Sequence, residues 1–256
     1  MPSTGSASIT LTRDGLITSS LQALRVLQEG QVANATQIAD AAMPLNMLIA
    51  NWQSNGLQLW TYQLLPIPCV ANKYVYTIGP SGADITSTRP LRLMDDGSFI
   101  RNNINPATPV DTPLIILSRT DYNNMGSKTS QGVVNSLYYQ PGIDVAGGVT
   151  SPSTGYGTLN VYVNPLNTSY TIYGNFQRPI YTMSGASDEF DFPTEWFLAL
   201  RYGLAEILAD DYEVPDNRLM RIAAQAKRYH DGVQDWSVEQ AKFRFQPDNR
   251  MGARWP

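Results

Sequence analysis

The sequence predicts an α+β fold, in which a framework of bundled helices from both ends of the chain holds an inserted β-rich barrel or sandwich domain. Apolar residues recur at helical spacing in residues 1–56 and 191–236, which predicts amphipathic helices with one buried face. Residues 57–190 hold 12 of the 19 glycines and 11 of the 17 prolines, so long helices are not expected there. Residues 237–256 show neither helical periodicity nor turn chemistry, and we expect an extended C-terminal tail.

The composition limits the classes of function. At 256 residues with 43% apolar content, the chain is long enough to bury one sizeable core or two smaller ones. A net charge of −4 argues against a general nucleic-acid binder, which needs a basic surface. No run approaches the roughly 18 apolar residues of a membrane span, and the first residues lack the pattern of a signal peptide. We therefore expect neither a span nor a secretion signal.

Few residues are available for metal or cofactor chemistry. One cysteine, Cys69, excludes an internal disulfide, and one histidine, His230, leaves too few soft ligands for a structural zinc site. Asp84, Asp95 and Asp96 lack the surrounding oxygen donors of a calcium loop. No glycine-rich phosphate loop of useful form occurs. We expect neither a metal nor a cofactor.

The first 56 residues predict two helices. Thr12 or Asp14 is a possible cap for the first helix, and Gly30 is placed to end it. The first apolar stripe is Leu16, Ile17, Leu21, Leu24 and Leu27. Asn34 and Gln37 have the spacing of a capping box that opens the second helix. The second stripe is Ile38, Ala41, Ala42, Leu45, Leu48, Ile49 and Trp52. Pro44 lies inside this second helix and predicts a kink or a break.

The inserted region, residues 57–190, predicts short strands separated by turn formers. The β-branched or alternating runs are residues 74–78, 114–117, 159–163 and 170–173. We expect residues 164–168 to connect the last two runs as a hairpin. Residues 142–157 contain five glycines and many small residues, which is typical of an exposed loop.

Residues 191–236 predict a helical hairpin. Pro193 suits the first turn of a helix, and the acidic, proline-containing stretch 210–216 predicts the turn between two antiparallel helices. The residues expected in the hairpin core are Phe197, Leu200, Leu204, Ile207, Leu219, Ile222 and Tyr229.

The tail, residues 237–256, combines basic and aromatic side chains. Lys242, Arg244, Arg250 and Arg254 outnumber the two acidic residues, which leaves the tail with a net charge of +2 on an acidic protein. The aromatic residues among them are Phe243, Phe245 and Trp255. Arginine and aromatic side chains commonly anchor interfaces, so we expect the tail to bind an acidic partner. A solvated, frayed terminus is the alternative.

A catalytic role has one candidate group. Asp188, Glu189 and Asp191 offer carboxylates of the kind that glycoside hydrolases pair, but an acidic cluster at a helix start explains them without chemistry. His230 has no neighbouring cysteine or second histidine, and it follows an apolar stripe position. We do not expect an enzyme.

Several sequence features together resemble the head-to-tail adaptor proteins of short-tailed bacteriophages, also called connector or head-completion proteins. The matching order is a helical segment, an inserted β-domain and a terminal helical hairpin. The matching residues are Leu45-Asn46, Trp52, residues 56–60, Leu137-Tyr138-Tyr139, residues 170–173, residues 192–196, Ala199-Leu200 and Leu204-Ala205. Pro44 departs from the uninterrupted second helix of that family.

The resemblance implies a non-enzymatic virion protein at the head-tail junction, made in the cytoplasm of a host bacterium. It implies a ring of identical subunits, usually dodecameric, that joins capsid to tail, extends the DNA channel and helps to retain packaged DNA. The portal protein would be gripped by the tail, through the basic and aromatic residues named above. The tail nozzle or other tail proteins would dock on the other side, and DNA would pass without sequence recognition. The alternative is a receptor- or glycan-binding tail module, with specificity in the β-domain and its 142–157 loop.

Overall fold

The computed structural model of the chain describes residues 11–55, 59–95, 97–142 and 155–236. The tail, residues 237–256, and most of the glycine-rich loop lie outside the described residues. The described part contains both helices and sheets, so the predicted α+β class is confirmed.

The longer helices lie in the two predicted helical parts, and one short helix lies in the β-rich part. The α-helices are α1 (Arg13–Leu24), α2 (Ala35–Asn55), α3 (Arg119–Asn124), α4 (Phe197–Leu208) and α5 (Asp216–Trp236). Single 3₁₀ turns precede the first strand (Leu59–Thr61) and α4 (Thr194–Trp196).

Helix α1 begins as predicted and ends earlier. The Thr12 hydroxyl oxygen accepts the N–H of Gly15 at 3.2 Å, which caps the helix. The predicted end at Gly30 is wrong. Arg25 adopts a left-handed backbone with φ of 57°, and its N–H bonds to the carbonyls of Leu21 and Gln22, which closes the last turn five residues earlier.

Helix α2 has the predicted capping box and no break at Pro44. The Asn34 N–H donates to the Gln37 side chain at 3.0 Å, and the Gln37 N–H donates to the Asn34 side chain at 2.8 Å. The helix runs without interruption from Ala35 to Asn55. Its inward residues Leu45, Ile49 and Trp52 are buried. This burial stabilises the helix and offsets the hydrogen bond that proline removes.

Twelve short strands occupy the described part of the inserted region. They are β1 (Tyr62–Pro68), β2 (Val75–Gly79), β3 (Ile85–Thr86), β4 (Arg92–Leu93), β5 (Phe99–Asn102), β6 (Val110–Pro113), β7 (Ile115–Ile116), β8 (Gln131–Gly132), β9 (Ser136–Gln140), β10 (Gly157–Tyr162), β11 (Asn164–Pro165) and β12 (Tyr170–Gln177). One five-stranded sheet has the order β1-β12-β5-β6, with β4 also paired to β12. The other has the order β3-β2-β10-β9-β7, and β8 pairs with β11.

The predicted hairpin between β10 and β12 is wrong, because these strands belong to different sheets. The intervening backbone pairs with β8 instead: the Asn164 N–H bonds to the Ser130 carbonyl at 2.9 Å, and the Leu166 N–H bonds to the Gly132 carbonyl at 3.2 Å. Both edges of β12 are taken by β1 and β5. The segment therefore carries the chain from one sheet to the other.

Two hydrophobic cores result. The helical core collects residues of α1, α2, α4 and α5, and the β core collects buried residues from both five-stranded sheets. Ile180 and Met183, which follow the last strand, belong to the helical core. The change of core therefore comes just after β12, before the predicted boundary at residue 190.

Candidate protein-interaction site

The predicted hairpin core forms around α4. Leu200 and Leu204 are fully buried and Ile222 is nearly so, and the remaining partners from α5 pack against them. Phe197, Leu219 and Tyr229 are half-buried on the same core. Burying these side chains removes their apolar surface from water, which stabilises the packing of the two helices.

The prediction is wrong for Ile207, which does not lie in the hairpin core because 42% of its surface is exposed. Residues 200 and 207 have nearly the same angular position on a helix, but they lie about 10 Å apart along its axis. At the level of Ile207 the neighbouring helices leave an open groove, lined by α2, α4 and α5. Helical periodicity gives the direction of a side chain and not how closely the neighbouring helices pack over it.

Close packing of α2 against α4 depends on Gly203. A Cβ atom at this position would lie 3.0 Å from the Trp52 ring and 3.2 Å from the Leu48 side chain. Trp52 in turn packs with its ring centroid 5.7 Å from that of Trp196 and 4.9 Å from that of His230. His230 therefore lies against an aromatic cluster in the helical core.

The helical core and the β region are joined at an ion pair, Arg178–Asp191. The Arg178 guanidinium donates to both Asp191 carboxylate oxygens, and its backbone N–H bonds to the Thr61 carbonyl at 2.9 Å. The Trp60 indole donates to the Asp191 carbonyl at 3.2 Å. Hydrogen bonding to Asp191 raises the pKa of Arg178, so this pair holds the ends of β1 and β12 to the segment before α4.

The three acidic residues considered for catalysis have structural contacts. Asp191 is in the ion pair just described, and Glu189 forms a backbone bridge with Thr12. Asp188 accepts the N–H groups of Gly185 at 2.6 Å and Ser184 at 2.9 Å, which lowers the pKa of its carboxyl. Helical backbone begins with the 3₁₀ turn Thr194–Trp196 and continues as α4, so the three acidic residues precede the helix.

The outer face of α2 is exposed and carries a single charged residue near its start. Met43 and Met47 are 64% and 57% exposed, and Ala39 and Ala50 continue the same stripe. Asp40 is the only charged residue of the helix, and residues 41–55 have none. Exposed methionines on a face of small residues adapt to a partner's shape, so this face favours contact with another protein.

A shallow groove of about 570 Å³ separates this face from residues 182–184. Asn46 fixes its floor, because its side-chain amide donates to the Met183 carbonyl and its side-chain oxygen accepts the Met183 N–H, each at 3.3 Å. The cation that lines the groove, Arg13, is paired with Asp14 at 2.9 Å. The groove therefore suits an uncharged protein surface better than a polyanion.

Sequence reasoning missed this α2 face. Helical periodicity predicts only the buried stripe of α2. The signal for the exposed face is the run of residues 41–55 without a charged side chain. The Arg178–Asp191 pair had no sequence signal, because nothing in a 13-residue spacing specifies a contact.

The described residues carry no group of three or more histidine, cysteine or acidic side chains placed to hold a metal ion. Within the same part of the chain, no helix has both the length and the apolar character needed to cross a bilayer. The predicted portal-binding residues, Lys242 to Trp255, lie outside the described residues. Helix α5 brings His230 against Trp52 and Trp196, and Trp196 also packs against Trp60 at the junction.

Neither a family model nor a curated protein matches the chain.

Proposed function

We propose that the chain is a structural virion protein that forms a ring of identical subunits beneath a phage portal. In this proposal the ring joins capsid to tail, extends the DNA channel and helps to retain packaged DNA, and it catalyses no reaction. The four longer helices serve as a bundle framework, and the two five-stranded sheets serve as a sandwich mounted on it. The sequence resemblance to head-to-tail adaptors supplies the ring and the portal.

The exposed α2 face is the observation that carries the proposal. A ring requires each copy to present one surface to the next copy, and that surface stays exposed in an isolated chain. The stripe containing Met43 and Met47 is such a surface. Its lack of charge after Asp40 means that a neighbouring copy of this acidic protein meets no like charge there.

The contact between the helical core and the β region also supports a ring. Subunits of a ring keep their geometry only if their two regions stay in register, and the Arg178–Asp191 pair with Trp60 ties the β region to the helical core. Helix α5, after which the tail follows in the sequence, contacts Trp196 near the junction through His230. An extended stretch of about 20 residues reaches roughly 65 Å, far enough to lie along a portal subunit.

Electron microscopy of the chain mixed with the portal protein of the same phage tests the proposal. We expect end-on class averages with a closed ring, dodecameric if the resemblance holds in detail. Met47→Lys places a charge on the proposed contact and should abolish the ring on the portal while leaving thermal stability unchanged.

Met220→Lys is the matched control, because Met220 is also exposed but lies on α5. We expect this variant to form rings like the unchanged protein. Ring formation by Met47→Lys would remove the α2 face from the contact. If the unchanged protein and portal give no ring under any condition, the adaptor function is wrong.

A further inference from the structure

The end of the β region farthest from the helices is built from four connecting segments. Strand β12 starts there at Tyr170 and reaches the helical junction at Gln177, about 23 Å away for an extended strand. The four segments are residues 69–72, 103–110, 130–136 and 163–169, and we call them together the β pole.

The β pole contains no charged residue in its 26 positions. It is also rich in exposed large apolar side chains. Six of the 14 found in the described residues lie in it or directly beside it, each between 48% and 64% exposed: Val70, Ile104, Val110, Ile115, Val133 and Leu166. An apolar patch of this kind on a soluble surface commonly marks a contact with another protein.

Backbone hydrogen bonds join the four segments into one surface. The Asn72 N–H donates to the Pro165 carbonyl at 2.9 Å, and the Leu166 N–H donates to the Gly132 carbonyl at 3.2 Å. The Asn103 N–H donates to the Ser169 carbonyl at 2.9 Å. Beside them, the Ile115 N–H donates to the Asn135 carbonyl at 3.0 Å. The surface is therefore largely formed before any partner arrives, which lowers the entropy cost of binding.

We propose that the β pole is a self-association surface through which two copies of the chain pair, pole to pole. In a two-fold contact the side chains close to the axis meet the same residues of the second copy, so a charged residue there would face a like charge. A surface without charge avoids that repulsion on a protein with a net charge of −4. Five of its 26 residues are buried, and the 21 that reach the surface match the roughly 20–30 per partner of a standard stable interface.

Exposed amides add to the self-complementarity of this surface. Asn105 and Asn135 are exposed, and their side-chain oxygens accept local donors, the Ala107 N–H and the Ser136 hydroxyl. An amide both donates and accepts hydrogen bonds, so an asparagine can bind the same residue of a second copy. Nucleic acid is disfavoured as the occupant, since the surface offers no cation to phosphate groups.

Sedimentation velocity over a range of concentrations tests the pairing with the full chain. The variant with Val133→Lys and Leu166→Lys should stay unpaired, and it defines the mass of the unpaired form. The unchanged chain should show a species of twice that mass. Both positions are exposed, so folding should be unaffected, and circular dichroism with thermal melting checks this. Four lysines brought together by each pairing should raise the dissociation constant by at least about tenfold.

The opposite variant, Val133→Glu with Leu166→Glu, should also remain unpaired, and an equimolar mixture of the lysine and glutamate forms should recover the doubled mass. Val32→Lys with Met220→Lys adds the same charge outside the β pole and outside the α2 face, at two exposed positions, and should leave pairing intact. The inference is overturned if the unchanged chain never shows the doubled mass, if the pole variants keep it, or if the mixture fails to restore it.

This inference rests on the β pole and does not need the ring. If copies close into a ring, pole contacts join two rings and the pole variants release single ones. Loss of rings in Met47→Lys with pairing kept supports both contacts. Rings that persist in Met47→Lys remove only the α2 contact, and pairing that persists in the pole variants removes only the pole contact. A β pole that binds only a different protein leaves the unchanged chain unpaired, which contradicts the inference.

Discussion

The turn of the helical hairpin and the β pole are the parts of their regions farthest from the junction, and their surfaces are opposite in kind. Residues 209–221 of the hairpin place six charged side chains in 13 positions, and the β pole places none in 26. Charged ends stay solvated, and their contacts weaken as salt screens them. An uncharged apolar end gains free energy by leaving water. The two regions are therefore suited to different kinds of contact within one chain.

The hairpin turn ends a separately packed region only if the hairpin forms the core described above. Leu204→Asp should disrupt this core most strongly. Leu204 is fully buried in the helical core, where a carboxylate has no partner. We expect the free energy of unfolding to fall by about 4 kcal/mol or more. Ile207→Asp is the matched control on the same helix and should cost under about 1 kcal/mol. Chemical denaturation measures both, and equal losses would show that the helix faces are wrongly assigned.

The junction is the second place to test, since it fixes the two regions relative to each other. Arg178→Met removes one partner of a half-buried ion pair and leaves the Asp191 carboxylate unpaired, which should cost about 2 kcal/mol. Asp191→Asn and the double variant complete a double-mutant cycle, in which the two losses should not add.

The control is an ion pair on the surface of the β region, in which Nε of Arg101 lies 2.7 Å from Oδ1 of Asp111. Solvent screens this pair, so its cycle should give a much smaller coupling. Additive losses at Arg178 and Asp191 would contradict the role given to the junction.

Gly203→Ala tests how tightly the helical core is packed. The new Cβ would lie 3.0 Å from the Trp52 ring, so α2 and α4 must move apart. We expect a loss of about 1–2 kcal/mol. Gly232→Ala in α5 is the control, because nothing lies within 4 Å of its Cβ position, and alanine should stabilise that helix by about 0.5–1 kcal/mol. A stabilising Gly203→Ala would mean that the α2–α4 contact is looser than described.

Asp188 gives the smallest effect, and its sign follows from its pKa. The N–H groups of Gly185 and Ser184 hold the pKa of this carboxyl below its ordinary value. A depressed pKa contributes stability above the ordinary carboxyl pKa of about 4, and the contribution is lost as pH falls through the folded value. Asp188→Asn should therefore lower Tm near pH 7, and this difference should shrink as the pH falls below about 4. A difference that stays constant over the whole range would contradict this assignment.

Local patterns explain how much of this fold is predictable from the sequence. The capping box of Asn34 and Gln37 and the apolar stripes of α4 and α5 involve residues three or four positions apart, and these were predicted. The error at Ile207 arose because exposure there depends on the gap between α2 and α5, which both pass beside it. Periodicity carries no information about neighbouring elements.

The β region is the harder case, because its pairings join distant residues. β10 and β12 lie close in sequence, yet one pairs with β2 and β9 and the other with β1 and β5. The β pole is invisible in the sequence for the same reason. Its four segments are each short and unremarkable in composition, and only the fold brings their uncharged residues together.

Co-sedimentation with the portal protein of the same phage tests whether the chain binds a portal through its tail. Full-length protein and protein ending at Trp236 are compared at low and high salt, with circular dichroism to check folding. We expect the full-length chain to bind, with weaker binding at high salt because the basic residues of the tail contribute screened electrostatic attraction. The truncated chain should stay folded and unbound. Undiminished binding by the folded, truncated chain would contradict the claim.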